Sequence, residues 1–170
     1  VLGYVAAGST TEVSITQCTV ENSTIKGEYI TAGIFGNGQV RAISDCAVYN
    51  TKILSTGSDV PGVGGIAGYV RELTVGVAFT NCLVLGVDFG DATTFSGIGD
   101  ITHNTSAIRN IVASDIRTKA TPVFSPDQLI GPHVSGGGAV SEISNIFTDS
   151  PLPIGFTPTP NSTLSNPTNP

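Results

Sequence analysis

The stretch GGIAGYVRELTVGVAFTNCLVLGVDF, residues 64–89, carries a pattern that returns on both sides of it along the chain. Each repeat has a glycine after small or branched apolar residues and, 10 to 15 residues later, a Cys or Ile. The repeated glycines are 31 to 33 residues apart and are Gly3, Gly36, Gly68, Gly99 and Gly131. Five repeats of nearly constant length predict a protein in which each repeat stacks on its neighbours.

Four columns of residues align between the repeats. Two are apolar, namely Ile15, Ile43, Phe79, Ile108, Ile143 and, three positions later, the inward column Cys18, Cys46, Cys82, Ile111, Ile146. Between them lies the polar column Gln17, Asp45, Asn81, Asn110, Asn145. Four positions after the inward column come the turn formers Asn22, Asn50, Gly86, Asp115, Ser150.

The composition favours strands over helices. Helical repeats of this length are rich in Ala, Leu, Glu, Lys and Arg, whereas this chain has 21 Gly, 10 Pro and only 12% charged residues. Apolar residues alternate over short runs, as in Cys82 and Val84, which is the pattern of a half-buried strand. Gly, Ser, Asp and Pro cluster in residues 54–65, and this composition predicts a loop there.

The polar column is predicted to form a corner. The two apolar columns are three positions apart, so both point inward only if the backbone bends between them. Asn and Asp tolerate the left-handed backbone region, and stacked amides can form hydrogen bonds from one repeat to the next. We therefore predict a parallel β-helix of about five coils with a polar ladder along this corner. A β-sandwich with unrelated turns is the alternative, but it predicts no common period.

The segments GGIAG, AGIFG and SGIGD, each followed by a polar gap and an anchor of the form I-x-[ND]-[CI], resemble the GLUG-type repeats of bacterial surface adhesins and other large secreted proteins. This chain departs from that pattern by having Ile where Leu is usual. The resemblance covers residues 1–150 and implies a right-handed β-helix in an extracellular module, without catalytic residues.

Residues 151–170 differ in character from the repeats. They contain six prolines among Thr, Ser and Asn, which predicts an extended, polyproline-like tail after a β-helix domain of residues 1–150. At ~3.1 Å per residue, the last fourteen residues span ~43 Å, longer than a stack of five coils. We expect this tail to contact a neighbouring subunit.

Charge and hydropathy exclude several partners. The net charge is −6, and no Lys/Arg cluster is present for binding nucleic acid. No apolar run approaches the ~20 residues of a membrane span, so we expect no membrane insertion. The chain contains no Met, which favours a processed or partial chain of an exported protein at an extracellular or cell-surface location.

The three cysteines occupy successive positions of the inward column. They are interpreted as small buried apolar residues equivalent to Ile111 and Ile146. A Cys18–Cys46 or Cys46–Cys82 disulfide is the alternative, although stacked strands are ~4.8 Å apart and disulfides prefer Cβ atoms ~3.8 Å apart. Their spacing does not suit a zinc site.

Three N-x-S/T triplets, at Asn22, Asn104 and Asn161, are candidate glycosylation sites, and we expect at least one to be modified. Asp88 and Asp91 are the closest carboxylate pair on a turn, but the oxygen-rich spacing of a calcium loop is missing. The acidic residues fall in different columns, so they do not form a stacked catalytic pair. We therefore predict no catalytic residue, no metal, no cofactor and no enzyme activity.

These features predict a structural subunit of an extracellular filament or surface appendage. The subunits form a homo-polymer head-to-tail through the coil ends and the tail, with attached glycans or polysaccharide. The sequence begins within the repeat pattern at Val1, without a polar or helical cap, which favours end-to-end contacts. The alternative function is a carbohydrate-binding or adhesive module of a larger cell-surface protein.

Overall fold

A computed structural model describes residues 2–5, 13–57, 62–70, 77–92, 95–101, 107–118 and 142–148. Within these ranges the chain is all-β and contains no helix. Several predicted features lie outside the described residues, namely Gly131, Ser150, Asn104, Asn161 and the tail, residues 151–170.

The strands are short, and most have two to four residues. They are β1 (Leu2–Val5), β2 (Ser14–Thr16), β3 (Thr19–Glu21), β4 (Thr24–Gly27), β5 (Thr31–Ala32), β6 (Phe35–Gly38), β7 (Ala42–Ser44), β8 (Ala47–Tyr49), β9 (Lys52–Ser55), β10 (Val63–Gly64), β11 (Ala67–Val70), β12 (Ala78–Leu85), β13 (Asp100–Ile101), β14 (Ala107–Ser114) and β15 (Glu142–Thr148).

Corresponding strands of successive repeats pair in parallel. The longest sheet has the order β15-β14-β12-β7-β2, and β3 and β8 extend the pairing beside β12. A second sheet has the order β1-β6-β11-β13, and β4-β9 and β10-β5 form two-stranded sheets. Residues 64–89 contribute to β10, β11 and β12, and Asp88 then bridges to Lys52 of β9. One repeat therefore visits each of the sheets in the described part of the chain.

The repeat glycines Gly3, Gly36 and Gly68 stack within the second sheet. Leu2 pairs with Phe35 and Tyr4 with Asn37, which sets Gly3 beside Gly36. A Cβ added to Gly36 would lie 2.3 Å from the carbonyl oxygen of Gly3. At Gly36 and Gly68 the backbone of the preceding repeat leaves no room for a side chain.

The polar column bends the strands as expected from parity. In β12, Phe79 and Cys82 are both buried although they are three positions apart, and Asn81 between them has φ +54° and is exposed. The same left-handed conformation occurs throughout the column, at Gln17, Asp45, Asn81, Asn110 and Asn145. The bend lets the side chains on both sides of the corner point into the core.

The core is a cluster of buried apolar side chains that extends through the repeats. Phe79, Val84 and Ile98 have no exposed surface, and the rings of Phe89 and Phe95 stack with centroids 4.7 Å apart. The register places Cys82 opposite Ile111, and the Leu83 amide donates to the Cys46 carbonyl at 2.9 Å. The predicted stacking of these three residues therefore agrees with the register.

The loop predicted for residues 54–65 is wrong at both ends. Leu54 and Ser55 belong to β9, and Val63 and Gly64 form β10, which pairs with β5. The glycines there serve close packing between repeats, since a Cβ on Gly65 would lie 2.0 Å from the carbonyl oxygen of Gly97 in the next repeat. Their abundance suggested a flexible connection, but it reflects tight stacking of neighbouring backbones.

Candidate assembly surface at the first repeat

The side chains of the polar column form a hydrogen-bonded ladder along one edge of the protein. Asn81 Nδ2 donates to Asp45 Oδ1, Asn110 Nδ2 donates to Asn81 Oδ1, and Asn145 Nδ2 donates to Asn110 Oδ1, each at 2.9 Å. These side chains are exposed, so each bond contributes less than a buried amide bond. What the ladder adds is a fixed register between repeats.

The ladder has a direction, because each repeat donates to the one before it. It begins at Asp45, whose carboxylate can accept but not donate when ionised. Among the described residues, the side chain of Gln17 makes no hydrogen bond, and Asn145 Oδ1 accepts none. An amide donor is thus left at the first repeat and an acceptor at the last.

The corner of turn formers is built differently. Asn22, Asn50, Gly86 and Asp115 also have positive φ, between +48° and +63°. No amide bonds join their side chains among the described residues, and Gly86 has no side chain to connect Asn50 with Asp115. The backbone alone connects this corner: the Asn50 amide donates to the Leu85 carbonyl at 2.9 Å.

The cysteines form a second internal ladder through their thiols. Cys46 Sγ donates to the carbonyl of Ser44 at 3.1 Å and to that of Ile15 in the preceding repeat at 3.8 Å. Cys82 Sγ makes the equivalent contacts with the carbonyls of Thr80 and Ile43. All three cysteines are free thiols.

Burial determines the chemistry of these thiols. It raises the pKa of Cys82 to about 11, and it also raises the pKa of Cys46 above its ordinary value. Both groups therefore stay protonated at neutral pH and react poorly as nucleophiles. This favours the interpretation of the column as packing residues.

The column residues of the first repeat are less buried than those of the later repeats. Cys18 is half-buried, whereas Cys46 and Cys82 are only 1% and 2% exposed. Val20 and Ile25 of the first repeat are also half-buried, whereas their register partners Val48 and Ile53 are fully buried. The first repeat therefore presents part of its core column to solvent.

The strands of the first repeat are also sheet edges. Among the described residues, β2, β3 and β4 each pair on one side only, with β7, β8 and β9. The strand β15 of the last repeat also pairs on one side only among these residues, with β14, but its Ile146 is 2% exposed although Asn145 next to it remains exposed. The open end of the column is thus the first repeat.

A second apolar area, which the sequence interpretation missed, lies on the outer face of the longest sheet. Leu85 is 40% exposed and Val112 is 37% exposed, and Leu83 and Phe147 line up beside Val112 in register. The Tyr49 hydroxyl, next to Leu85, donates to the Glu21 carboxylate. The available signal was the run CLVL, in which residues on both sides of the strand are apolar.

Asp88, one of the two carboxylates considered for calcium, has a structural role. Asp88 Oδ1 accepts the Gly90 amide at 2.8 Å, and Asp88 Oδ2 lies 3.9 Å from Lys52 Nζ. In the described ranges no group of three or more His, Cys, Asp or Glu residues is placed to hold a metal ion. The same ranges contain no helix long and apolar enough to cross a bilayer.

Asn22 is the candidate glycosylation site that the structure describes. Its side chain is exposed at the turn-former corner, where φ is +48°, and its backbone amide donates to the Tyr49 carbonyl at 3.2 Å.

Comparison of the chain with protein-family models, with curated proteins and with solved structures gives no match. Its function therefore has to be inferred from the geometry of the repeats.

Proposed function

We propose that the chain is a right-handed parallel β-helix that serves as a structural subunit of an extracellular filament or surface appendage. Subunits join end to end into a homo-polymer. The parallel pairing of successive repeats supports the winding, and parallel crossover connections are right-handed in ~98% of cases. The resemblance of GGIAG, AGIFG and SGIGD to GLUG-type repeats supports both the hand and the extracellular location.

The exposed end of the core column at the first repeat carries this proposal. Cys18, Val20 and Ile25 occupy columns that are buried in the next repeat, and the strands of Val20 and Ile25, β3 and β4, each pair on one side only within the described ranges. An unpaired strand edge that also exposes apolar side chains is a template for another chain. Stacking of another copy on this end would bury these side chains and pair the edge.

The last repeat sets a condition on this assembly. Because Ile146 is already covered, a copy that docks on that end has to displace what covers it. The polymer therefore forms with a lag that addition of preformed ends shortens. The net charge of −6 keeps single subunits soluble before assembly.

In such a filament, we expect glycans to be attached on the side of the stack. Asn22 faces solvent at a corner, so a glycan there extends sideways from the stack. Expression in a glycosylating host should give a mass increase that peptide mapping assigns to residue 22. An unmodified Asn22 in that host would remove this part of the proposal.

An adhesive or carbohydrate-binding module is the second candidate function. It is favoured by the exposed apolar face around Leu85 and Val112, with the aromatic rings of Tyr49 and Phe147 on the same sheet. Aromatic side chains on flat faces suit stacking against apolar ligand surfaces. The two functions use different surfaces and can be separated by mutation.

The test compares two lysine substitutions in the full chain by sedimentation and electron microscopy. Val20→Lys places a charge on the exposed end of the column, and Leu85→Lys places one on the outer face. End-to-end assembly predicts filaments for the unmodified chain and for Leu85→Lys but none for Val20→Lys. Filaments lost with Leu85→Lys and kept with Val20→Lys would favour the outer face, and an unmodified chain that stays monomeric at all concentrations would contradict the proposal.

A further inference from the structure

The two ends of the amide ladder carry complementary groups. Asn145 Oδ1 accepts no hydrogen bond and Gln17 donates none among the described residues, although the side chains between them are joined at 2.9 Å. Both side chains are exposed and both backbones have the left-handed conformation of the corner. Donor and acceptor therefore lie at opposite ends of a single column.

We propose that Gln17 Nε2 of one copy donates to Asn145 Oδ1 of the preceding copy, so that the corner ladder runs on from subunit to subunit. This inference rests on the proposed end-to-end assembly and specifies its contact. The partner is a second copy of this chain, oriented head-to-tail. The direction of donation is the same as inside each subunit, where every repeat donates to the one before it.

Only the head-to-tail orientation continues every column. A head-to-head contact is related by a two-fold axis, which reverses the direction of the strands and moves the corner away from its counterpart. With head-to-tail stacking, β2 and β3 continue the parallel pairing that joins β14 to β15. Cys18 then lies over Ile146 just as Cys82 lies next to Ile111.

The residue types at the first two corner positions suit a junction. Asp45 has no amide group to donate to Gln17, so the ladder inside the subunit stops there. Gln17 is one methylene longer than the asparagines that donate within the subunit, which adds about 1.5 Å of reach. The longer amide can span a subunit junction that is wider than the spacing between repeats.

A pair of charge substitutions tests the direction of the contact in the full chain. Gln17→Glu removes the donor at the junction, whereas Asn145→Asp keeps an acceptor there and loses only the bond to Asn110. Gln17→Glu should raise the critical concentration for assembly at pH 7 at least about fivefold, because it loses one hydrogen bond and sets a carboxylate against Asn145 Oδ1. Asn145→Asp should leave it within about twofold, although it lowers the melting temperature of the subunit. An equal effect of the two variants on assembly would overturn the inference.

Cysteine cross-linking tests the same contact by proximity. In a Cys18→Ala background, a chain with both Gln17→Cys and Asn145→Cys should give a ladder of covalent oligomers with a short bismaleimide cross-linker, which spans a junction too wide for a direct disulfide. Either substitution alone should give none. Covalent dimers from Gln17→Cys alone would indicate head-to-head contact and overturn the inference.

Electron microscopy of the cross-linking samples distinguishes failure of the Gln17–Asn145 contact from failure of end-to-end assembly. Filaments that are visible by electron microscopy but do not cross-link would leave end-to-end assembly standing and overturn the Gln17–Asn145 contact. Absence of filaments in both the unmodified chain and the background variant would overturn both.

Discussion

The first and third repeats have the same residue columns and yet differ in how completely those columns are buried. In the third repeat Phe79, Cys82 and Val84 have almost no exposed surface, whereas Cys18 and Val20 of the first repeat are half-buried. The side chains are similar, so the difference comes from the neighbours. A repeat of this kind cannot cover its own column and depends on the repeats above and below it. A terminal repeat is therefore a binding surface unless something covers it.

The largest difference should appear between two isoleucines that are partners in register. Ile53→Ala removes a fully buried side chain and should lower the free energy of unfolding by about 2–5 kcal/mol. Ile25→Ala, at the half-buried partner position, should lower it by less than half of that amount in the monomer. Urea unfolding of dilute samples measures both values.

For filament assembly we expect the opposite order of effects for these two isoleucines. Docking of another copy buries Ile25, so Ile25→Ala should weaken assembly more than Ile53→Ala does. Equal effects of the two variants on monomer stability would mean that the first repeat is covered in solution and is as buried as the central repeats.

The second difference concerns the glycine column. A Cβ on Gly36 would lie 2.3 Å from the Gly3 carbonyl oxygen, and Gly36→Ala should lower the free energy of unfolding by about 1–3 kcal/mol or more. A Cβ on Gly3 meets nothing within 4 Å, so Gly3→Ala should leave thermal stability nearly unchanged. In the filament, however, the added methyl group would meet the docked backbone and reduce assembly. If both alanine variants lower the melting temperature alike, the first repeat is not open.

The third prediction tests the corner within the central repeats. Asn81→Leu removes the ladder bonds and places an apolar residue at φ +54°, and should lower the free energy of unfolding by about 1–3 kcal/mol. Thr80→Leu is the control, because its side chain points outward beside the corner. Asn81→Gly relieves the backbone strain and should fall between the two. Identical melting temperatures for Asn81→Leu and Thr80→Leu would rule out the corner as a source of stability.

The smallest effect is a dependence on pH caused by the buried thiol. Burial raises the pKa of Cys82 from its ordinary value of 9.0 to about 11, so the folded state keeps its proton at a pH where the unfolded state loses it. The contribution of this thiol to stability is complete below pH 9 and is lost as the pH rises towards 11. Cys82→Ile keeps the column apolar, as at Ile111, and should remove this part of the decline in stability between pH 8 and 11. A decline that is the same in both proteins would show that Cys82 does not cause it.

The parts of the fold that were predictable from the sequence are those that depend on the spacing of residues along the chain. The period of the glycines and the opposite parity of Phe79 and Cys82 were sufficient to locate a corner at Asn81, because only a bend allows both side chains to point inward. The direction of the ladder was not predictable, because it depends on which amide atom faces which neighbour. Nor was the open end, since Cys18 and Cys82 are the same residue type and differ only in what covers them.

Other features were obscured by composition. The composition of residues 54–65 predicts a loop because glycine serves both flexible connections and close backbone contact, and only the position of the Gly97 carbonyl in the next repeat shows which applies at Gly65. The outer apolar face was hidden because Leu83 and Val112 come from different repeats and meet only through register. Such features depend on distances between repeats, which residue spacing alone does not give.

The axial rise per subunit in assembled filaments, measured by helical reconstruction from electron micrographs, tests end-to-end stacking most directly. About five repeats spaced ~4.8 Å apart give a rise of ~24 Å for each copy added. End-to-end stacking predicts that value, with strands perpendicular to the filament axis. A rise of ~4.8 Å, with one strand layer per chain, would indicate amyloid-like stacking and contradict it. Strands running along the filament axis would contradict it as well.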